Sequence, residues 1–342
     1  MPGPLTFGYL YDFRNPPAWH RPPAELYAGI LDAIVETERL GFGGAWIPEH
    51  HLADDGYQTS PMVVLGAVAA RTSRIRLGSA IALAPLYDPL RFAEDCAVLD
   101  SLSDGRAEMA IAIGYRRREY EAMGLEFKKR GARLDEWLGI VRRLWNGESV
   151  DHAGEHFTLK GARLGQLGPS GQVPLFIGGF APRALDRVAR FGDGYFGNAE
   201  VCDAYLAALA KAGKDPSRAR IWLQGLMLVV ARDKQAAIDE LALHFLHANN
   251  SYGVWLAEDG AIGLDDPAMK PMDLDSFLAS GIMQVLTPGE AIDHFRKLRE
   301  TVPVEHFIMG YPPGLAPERF LDYARTFASE VMPAFAEPGS GA

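Results

Sequence analysis

The sequence predicts an α/β protein whose fold is a (β/α)8 TIM barrel with insertions at the C-terminal face. Eight apolar runs recur along the chain, and each precedes an amphipathic or turn-bounded stretch typical of a helix. Strands that alternate with helices build a parallel sheet, and eight such units close it into a barrel. With 342 residues and 48% hydrophobic content, the chain is long enough for one such domain over residues 1–342.

The apolar runs and the prolines between them place the strands and several helices. The five clearest runs are residues 5–11, 44–48, 74–84, 107–114 and 174–179. Three weaker runs are residues 194–198, 220–230 and 305–310. Proline is favoured at the first position of a helix, so we predict helices that begin near Pro89, Pro288 and Pro317.

Two stretches interrupt the alternation of strands and helices. Residues 149–172 combine spaced glycines with alternating apolar residues, which predicts a hairpin-like insertion. Residues 249–286 contain glycines, prolines and several acids, and a long irregular segment in a compact fold is typical of a lid or of disorder. We expect residues 249–286 to form a lid over the barrel mouth.

The overall composition excludes several classes of protein. A net charge of −10 and a pI near 5.4 argue against binding to nucleic acid or to anionic membranes. The only cysteines are Cys96 and Cys202, so neither a disulfide framework nor a thiolate metal site is expected. No apolar run approaches the roughly 18 residues of a membrane span. We therefore expect a cytoplasmic protein.

The motif that carries chemistry is residues 43–51 (GGAWIPEHH), a predicted strand that ends in Glu49, His50 and His51. Catalytic groups of barrel enzymes lie at the C-terminal ends of the strands. An imidazole titrates near neutrality, so a histidine there is suited to general acid/base catalysis, with Glu49 orienting it. Metal binding is disfavoured because consecutive side chains at a strand end point to opposite sides. Simple packing of both imidazoles against the backbone is the other alternative.

Residues 46–56, with the Glu-His-His run and the acidic, glycine-containing loop after it, resemble the bacterial luciferase-like flavin-dependent monooxygenases. Residues 77–114 resemble the third strand, the helix and the fourth strand of that family. They include its Pro-Xaa-Arg helix start and its Leu-Asp-Xaa-Xaa-Ser-Xaa-Gly-Arg sequence. Residues 173–196 and 287–295 are also similar, so the resemblance covers nearly the whole chain.

The resemblance implies an enzyme that uses reduced FMN as a co-substrate. Oxygen adds to the flavin ring as a C4a-peroxide, which oxidises a small organic substrate. The resemblance also implies that His50 lies beside the reactive flavin carbon as the acid/base group, with Glu49 and His51 in support. Ala80 and Ile81 match a strand end at which a cis peptide cradles the flavin ring.

The expected phosphate contacts depart from the family pattern. Ile113 occupies the position of the luciferase arginine that contacts phosphate, but three arginines follow in the run GYRRREY. We expect Gly114, Tyr115 and Arg116 to bind the cofactor, because a guanidinium can contact a phosphate through two hydrogen bonds. A solvated arginine triplet is the alternative.

A second cofactor contact is predicted after the fifth strand, where a glycine turn enters a helix whose N–H groups can face an anion. The residues of this contact are Gly178, Gly179, Phe180, Ala181 and Arg183. A tight turn without a ligand is the alternative. Asn198, at the end of the sixth strand, is predicted to bond the flavin edge, with a structural cap as the alternative.

Other functions and the partners of the protein remain open at this point. A deazaflavin-dependent oxidoreductase would transfer hydride on the same fold, a non-catalytic flavin-binding protein would not react, and a metal-dependent hydrolase is a third alternative. No G-x-G-x-x-G fingerprint follows an early strand, so we expect a separate flavin reductase. Family barrels pair through early helices, and the small-residue-rich residues 62–70 predict a homodimer or, alternatively, a buried helix within one chain.

Overall fold

The computed structural model describes residues 4–258 and 270–336, and eight of its strands form a closed parallel barrel. These strands are β1 (Thr6–Leu10), β2 (Gly44–Ile47), β3 (Arg76–Leu83), β4 (Met109–Ala112), β7 (Leu175–Gly178), β8 (Gly194–Gly197), β9 (Ile221–Gly225) and β12 (His306–Gly310). Their order around the barrel is β1-β12-β9-β8-β7-β4-β3-β2. Each coincides with one of the eight predicted runs, so the predicted fold class is confirmed.

Helices follow the strands, and many of them begin at a proline. They are α1 (Pro23–Arg39), α2 (Pro61–Arg71), α3 (Pro89–Leu102), α4 (Arg117–Ala122), α5 (Arg130–Trp145), α6 (Pro182–Phe191), α7 (Cys202–Lys211), α8 (Lys234–Glu258), α9 (Leu274–Ser280), α10 (Pro288–Thr301) and α11 (Pro317–Glu330). The predicted helix starts at Pro89, Pro288 and Pro317 are confirmed. At α10, Thr287 and Glu290 form a reciprocal capping box. None of the helices described is both long and apolar enough to cross a membrane.

The prediction of one strand over residues 220–230 was wrong. After β9 the chain turns and forms a separate short strand, β10 (Leu228–Val230), which pairs in parallel with β11 (Gln284–Leu286). The turn passes so close to β12 that a Cβ placed on Gly310 would lie 2.2 Å from the carbonyl oxygen of Leu226. The contact joins distant parts of the chain, so the continuous apolar pattern of residues 220–230 does not reveal the break between the two strands.

The two predicted insertions have different structures. Within residues 149–172, β5 (Val150–Ala153) and β6 (Thr158–Ala162) pair in antiparallel fashion. Within residues 249–286, an irregular segment was expected, but the end of α8 and the whole of α9 are helical. Residues 259–269 lie outside the described residues. A closing role for the segment stays a prediction.

The chain forms two compact units, and the division passes through β2 and β9. Of the described residues, unit 1 contains 4–45, 52–58, 223–258 and 270–336, and unit 2 contains 46–51 and 59–222. In the core of unit 1, the ring of Phe7 makes edge contacts with Phe295 and Phe327. In the core of unit 2, Trp222 stacks on Phe176 with ring centroids 3.6 Å apart. A single domain over residues 1–342 stays a prediction.

Gly78 marks the closest approach between neighbouring strands of unit 2. A Cβ at this position of β3 would lie 1.5 Å from the carbonyl oxygen of Glu108 and 3.3 Å from the ring of Trp46. Because backbone atoms cannot yield as a flexible side chain can, any larger residue must displace β3 from its neighbour.

We therefore expect Gly78→Ala to lower the free energy of unfolding by about 3 kcal/mol or more, measured by urea denaturation. Gly139→Ala in α5 is the matched control, because no heavy atom of the described residues lies within 4 Å of the added Cβ beyond the local helix backbone. That change should instead raise the free energy of unfolding by about 0.5–1 kcal/mol. Equal stabilities of the two variants would contradict the close approach at Gly78.

Candidate active site

A buried carboxylate, Glu119 in α4, contacts both histidines of the Glu-His-His motif. Its Oε1 is 2.9 Å from Nδ1 of His50 and accepts a hydrogen bond of the same length from the backbone N–H of His51. Nη1 of Arg116 lies 3.5 Å from that oxygen and also donates to the carbonyl oxygen of His51. Glu119 is 0% exposed, and these donors all gather at Oε1, whereas Oε2 is buried without a hydrogen-bond partner among the described residues.

His50 is held between this carboxylate and a phenol. Tyr115 lies in the loop after β4. Its hydroxyl is 3.4 Å from Nε2 of His50. The two rings meet edge to face, with centroids 5.3 Å apart. His50 is 7% exposed, so it is nearly enclosed by its neighbours. An imidazole placed in this way can pass a proton between its two nitrogens.

From the sequence, Glu49 was predicted to orient His50. In the structure it orients His51 instead. Oε1 of Glu49 is 2.9 Å from Nε2 of His51, and Oε2 accepts a 2.9 Å hydrogen bond from the backbone N–H of Leu83. Successive side chains of an extended chain point to opposite sides, so Glu49 shares a side with His51 and His50 faces α4. The hydroxyl of Tyr87 also hydrogen-bonds Glu49. Glu49 therefore joins the end of β2 to the end of β3.

The charges around this motif shift two pKa values. Burial lowers the pKa of His51, but the hydrogen bond and charge of Glu49, aided by Glu119, outweigh burial and the repulsion from Arg116, so the net shift is upward. Burial, reinforced by the negative charge of Glu49, raises the pKa of Tyr87. The phenol of Tyr87 therefore stays protonated and donates to the carboxylate.

The neighbouring strand ends of unit 2 present small and apolar residues. The peptide bond between Ala80 and Ile81 in β3 is cis, the geometry implied by the family resemblance. After β4, Gly114 has a φ of 70°, and a Cβ there would lie 3.0 Å from Leu83. This positive φ favours glycine and lets the chain turn directly into Tyr115.

The second predicted contact lies at the start of α6. Gly179 has a φ of 150°, and a Cβ at this position would lie 2.5 Å from that of Ala184. Ala181, the residue before the helix, has no side-chain acceptor, and both it and Arg183 are exposed. Phe180 is 53% exposed. The positive end of the α6 dipole, next to an exposed arginine, is suited to a phosphate.

Asn198 follows β8 and lies in the same unit. Its backbone N–H donates to the hydroxyl of Tyr195 at 3.4 Å, and its carbonyl oxygen accepts a bond from the thiol of Cys202. These backbone contacts fix the chain after β8 in the way a structural cap would. The predicted bond from Asn198 to the flavin edge stays a prediction.

The arginine run differs from its predicted use. The side chain of Arg116 is 1% exposed, and its bonds to His51 and Glu119 favour a positioning role over the predicted phosphate contact. The guanidinium of Arg117 lies over the ring of Phe127, 4.8 Å from its centroid. Arg118 is exposed. A phosphate contact at Arg116 and one at the α6 N-terminus both stay predictions, and the burial of Arg116 favours the α6 N-terminus.

The sequence analysis did not identify Glu119. The residue ends the charged run RRRE, which reads as a solvated helix start, and its burial arises only when α4 packs against the end of β2. The available signal was its position in the first turn of a helix that follows a barrel strand. Such a carboxylate is a candidate partner for a histidine at a neighbouring strand end.

These residues fit a flavin phosphate ester. Small, apolar residues at Ala80 of β3 and at Gly114 after β4 would suit a ring system, the α6 N-terminus would suit a phosphate, and the His50 pair would suit acid/base chemistry. Across residues 4–258 and 270–336, no group of three or more His, Cys, Asp or Glu side chains is arranged to hold a metal ion.

The raised pKa of His51 makes stability depend on pH. A histidine whose pKa is higher in the folded chain stabilises the fold fully below its ordinary pKa of 6.5, and this contribution is lost as pH rises through the folded-state pKa. We expect the excess free energy of unfolding of the wild type over His51→Asn to be greatest below pH 6.5 and to decline above it. Urea denaturation at a series of pH values measures this difference. His294→Asn is the control with the opposite trend, because burial lowers the pKa of His294. A pH-independent difference for His51→Asn would contradict the ion pair.

Comparison with known proteins identifies the family. The family described as luciferase-like monooxygenase matches residues 5–305. An F420-dependent glucose-6-phosphate dehydrogenase from Kineococcus radiotolerans is 34% identical over 175 residues, which cover 48% of this chain and 51% of that protein, so the match spans about half of its length. The oxygenase component of the flavin-dependent trigonelline monooxygenase of Acinetobacter baylyi is 24% identical over 332 residues, 92% of this chain and 91% of that protein. The crystal structure of a monooxygenase from Streptomyces bottropensis has the same fold, with a TM-score of 0.82, 23% identity and coverage of 97% and 100%. The chain belongs to the luciferase-like monooxygenase family.

Proposed function

We propose that the protein is a flavin-dependent monooxygenase that uses reduced FMN and O2 to oxidise a small organic substrate. The observation that carries this proposal is the buried pair of Glu119 and His50 at the end of β2, because it holds a proton-transfer group at the catalytic end of a barrel. The similarity to the flavin-dependent trigonelline monooxygenase component, which extends over 92% of the chain, supports a flavin-dependent monooxygenase.

The residues of the site would divide the work among themselves. When bound, reduced FMN supplies the electrons with which O2 is reduced. The N-terminus of α6 and Arg183 would hold the phosphate, and the strand ends at Ala80, Ile81 and Gly114 would lie against the ring. His50, oriented by Glu119, would move a proton at its Nε2 atom.

The supply of reduced FMN points to a partner enzyme. The relative from Acinetobacter baylyi is named an oxygenase component, which describes one part of a multicomponent system. We propose that this protein likewise receives reduced FMN from a separate flavin reductase. We propose that the pair acts in the cytoplasm.

A second candidate is hydride transfer with a deazaflavin. The observation that favours it is the 34% identity to the F420-dependent dehydrogenase, which is higher than the 24% identity to the monooxygenase component. That similarity is limited to 175 residues. In this alternative the same proton-transfer group would act on a substrate oxygen, and O2 would take no part.

Titration of the purified protein with reduced FMN, oxidised FMN and a reduced deazaflavin tests the two candidates, followed by rapid mixing with O2. We expect selective binding of reduced FMN and rapid reaction of the bound flavin with O2. Preference for the deazaflavin without a reaction with O2 would replace the monooxygenase with the hydride-transfer enzyme. Binding without turnover of any flavin would indicate a flavin-binding protein, and no binding would overturn the site.

The same titration with Arg183→Ala tests the phosphate contact. A charged hydrogen bond is worth about 1.5–3 kcal/mol, so the variant should bind FMN roughly 10- to 100-fold more weakly. Riboflavin, which lacks the phosphate, should bind both proteins alike. Arg190→Ala, at the opposite end of the same helix, is the control and should leave both affinities unchanged. Equal losses for FMN and riboflavin would exclude a phosphate contact at Arg183.

We also propose that the protein forms a homodimer through α2 and α3. Val63 of α2 is 75% exposed, and Val98 and Leu102 of the adjacent α3 are also exposed. Exposed apolar side chains on two neighbouring helices support an interface on this face. Sedimentation equilibrium should give the mass of a dimer for the wild type and of a monomer for Val63→Glu. Leu243→Glu is the control, because Leu243 is likewise an exposed apolar residue but lies on α8, and this variant should stay dimeric. A monomeric wild type would exclude the dimer.

A further inference from the structure

Beyond the role proposed for His50, we infer that Tyr115 is the residue that exchanges a proton with the reactants, and that His50 and Glu119 act through it. This inference rests on the proposed function, since it assigns the proton of a flavin-dependent reaction. It changes His50 from a catalytic residue into a positioning residue.

Glu119, His50 and Tyr115 form a series of hydrogen-bonded groups, which we call the proton relay. The hydrogen-bond chemistry of Glu119 sets the direction in which a proton moves along it. Oε1 of Glu119 accepts from the backbone N–H of His51 and faces the guanidinium of Arg116, so this oxygen acts as an acceptor and the proton shared with His50 belongs to Nδ1. In the neutral ring, Nε2 then carries the lone pair. The hydroxyl of Tyr115 lies 3.4 Å from that atom, so we assign the phenol as the donor and Nε2 as the acceptor.

This order of groups is the one that activates a hydroxyl. A weak nucleophile or acid bonded to an imidazole, which is oriented by a buried carboxylate, is the arrangement by which proteins make hydroxyl groups reactive. The separation between Tyr115 and His50 is long for a hydrogen bond. Catalytic contacts are often loose before ligands bind and shorten in the loaded enzyme.

Burial shows which of the three groups of the proton relay can meet a reactant. Glu119 is 0% exposed and His50 is 7% exposed, whereas Tyr115 is partly exposed. Gly114 turns the chain directly before Tyr115, and a Cβ at Gly114 would press on Leu83. The phenol is therefore held at the outer end of the proton relay, at the catalytic end of β4.

The proton step balances without any change of electrons. When a reactant gives a proton to the phenol oxygen of Tyr115, the phenol proton passes to Nε2 of His50. The ring becomes an imidazolium, whose Nδ1 proton remains bonded to Glu119. In the reverse direction the imidazolium returns its Nε2 proton to Tyr115, and Tyr115 protonates the reactant. Reoxidation of the reduced FMN anion by O2 to hydrogen peroxide consumes such a proton.

The first test uses the protein without flavin. Nitrogen-15 NMR of the imidazole of His50 should show that the neutral form of the ring carries its proton on Nδ1 in the wild type and in Tyr115→Phe. Glu119→Gln, whose amide can donate as well as accept, should lose this preference. A wild-type ring protonated at Nε2 would overturn the inference, because that nitrogen could not accept the phenol proton.

The second test is a double-mutant cycle on the reaction of protein-bound reduced FMN with O2, followed by flavin absorbance. Tyr115→Phe and His50→Gln should each slow the return of oxidised FMN by roughly 100-fold, the lower range for acid/base catalysis. The double variant should be no slower than either single variant, because the losses of residues that act as one unit do not add. Gln at position 50 can still donate to Glu119, so the buried carboxylate keeps a partner.

The control is Tyr205→Phe, which removes the hydroxyl of a buried tyrosine elsewhere in unit 2 and should leave the rate unchanged. Affinity for reduced FMN should stay the same in all of these variants. A near-normal rate for Tyr115→Phe, or multiplied losses in the double variant, would overturn the role of Tyr115. Failure of the wild type to bind or oxidise reduced FMN would instead overturn the proposed function.

Discussion

The candidate site depends on the burial of one carboxylate. Glu119 is 0% exposed, and burying a carboxylate is costly unless hydrogen-bond donors lie next to it. Nδ1 of His50, the backbone N–H of His51 and the guanidinium of Arg116 are the donors next to it. The need to compensate this charge therefore fixes the ring of one histidine, the backbone of the next and the start of α4. Any group that acts at the end of β2 acts from this frame.

The alternation of an extended chain divides the Glu-His-His motif into two acid–imidazole pairs. His50 faces α4 and pairs with Glu119, whereas His51 shares a side with Glu49 and pairs with it. Each carboxylate also bonds a backbone N–H, that of His51 for Glu119 and that of Leu83 for Glu49. One pair is therefore tied to α4 and the other to β3. The second pair, with its raised His51 pKa, serves to hold the strand ends that frame the first.

Sequence reasoning located the eight barrel strands because their apolar runs are local and are bounded by turn residues. It did not separate β9 from β10, since the turn at Leu226 is imposed by the close approach of Gly310 from far along the chain. The same limit applied to the site. The position of His50 at a strand end was readable, but its partner was not, because Glu119 belongs to a charged run whose burial depends on how α4 packs. Glu49 was paired with the wrong histidine for a similar reason, since side-chain direction beyond a strand end is a three-dimensional property.

The proton relay also explains how one architecture can serve two flavin chemistries. Reduction of O2 and hydride transfer to or from a carbonyl differ in the electron carrier, but each requires that a proton arrive at or leave an oxygen atom. The proposed proton relay from Glu119 through His50 to Tyr115 would supply that common requirement without prescribing which electron carrier is present. The N-terminus of α6 offers an anion site that any phosphate ester could use. On this proposal the barrel positions the proton and the phosphate, while the bound cofactor would determine the fate of the electrons.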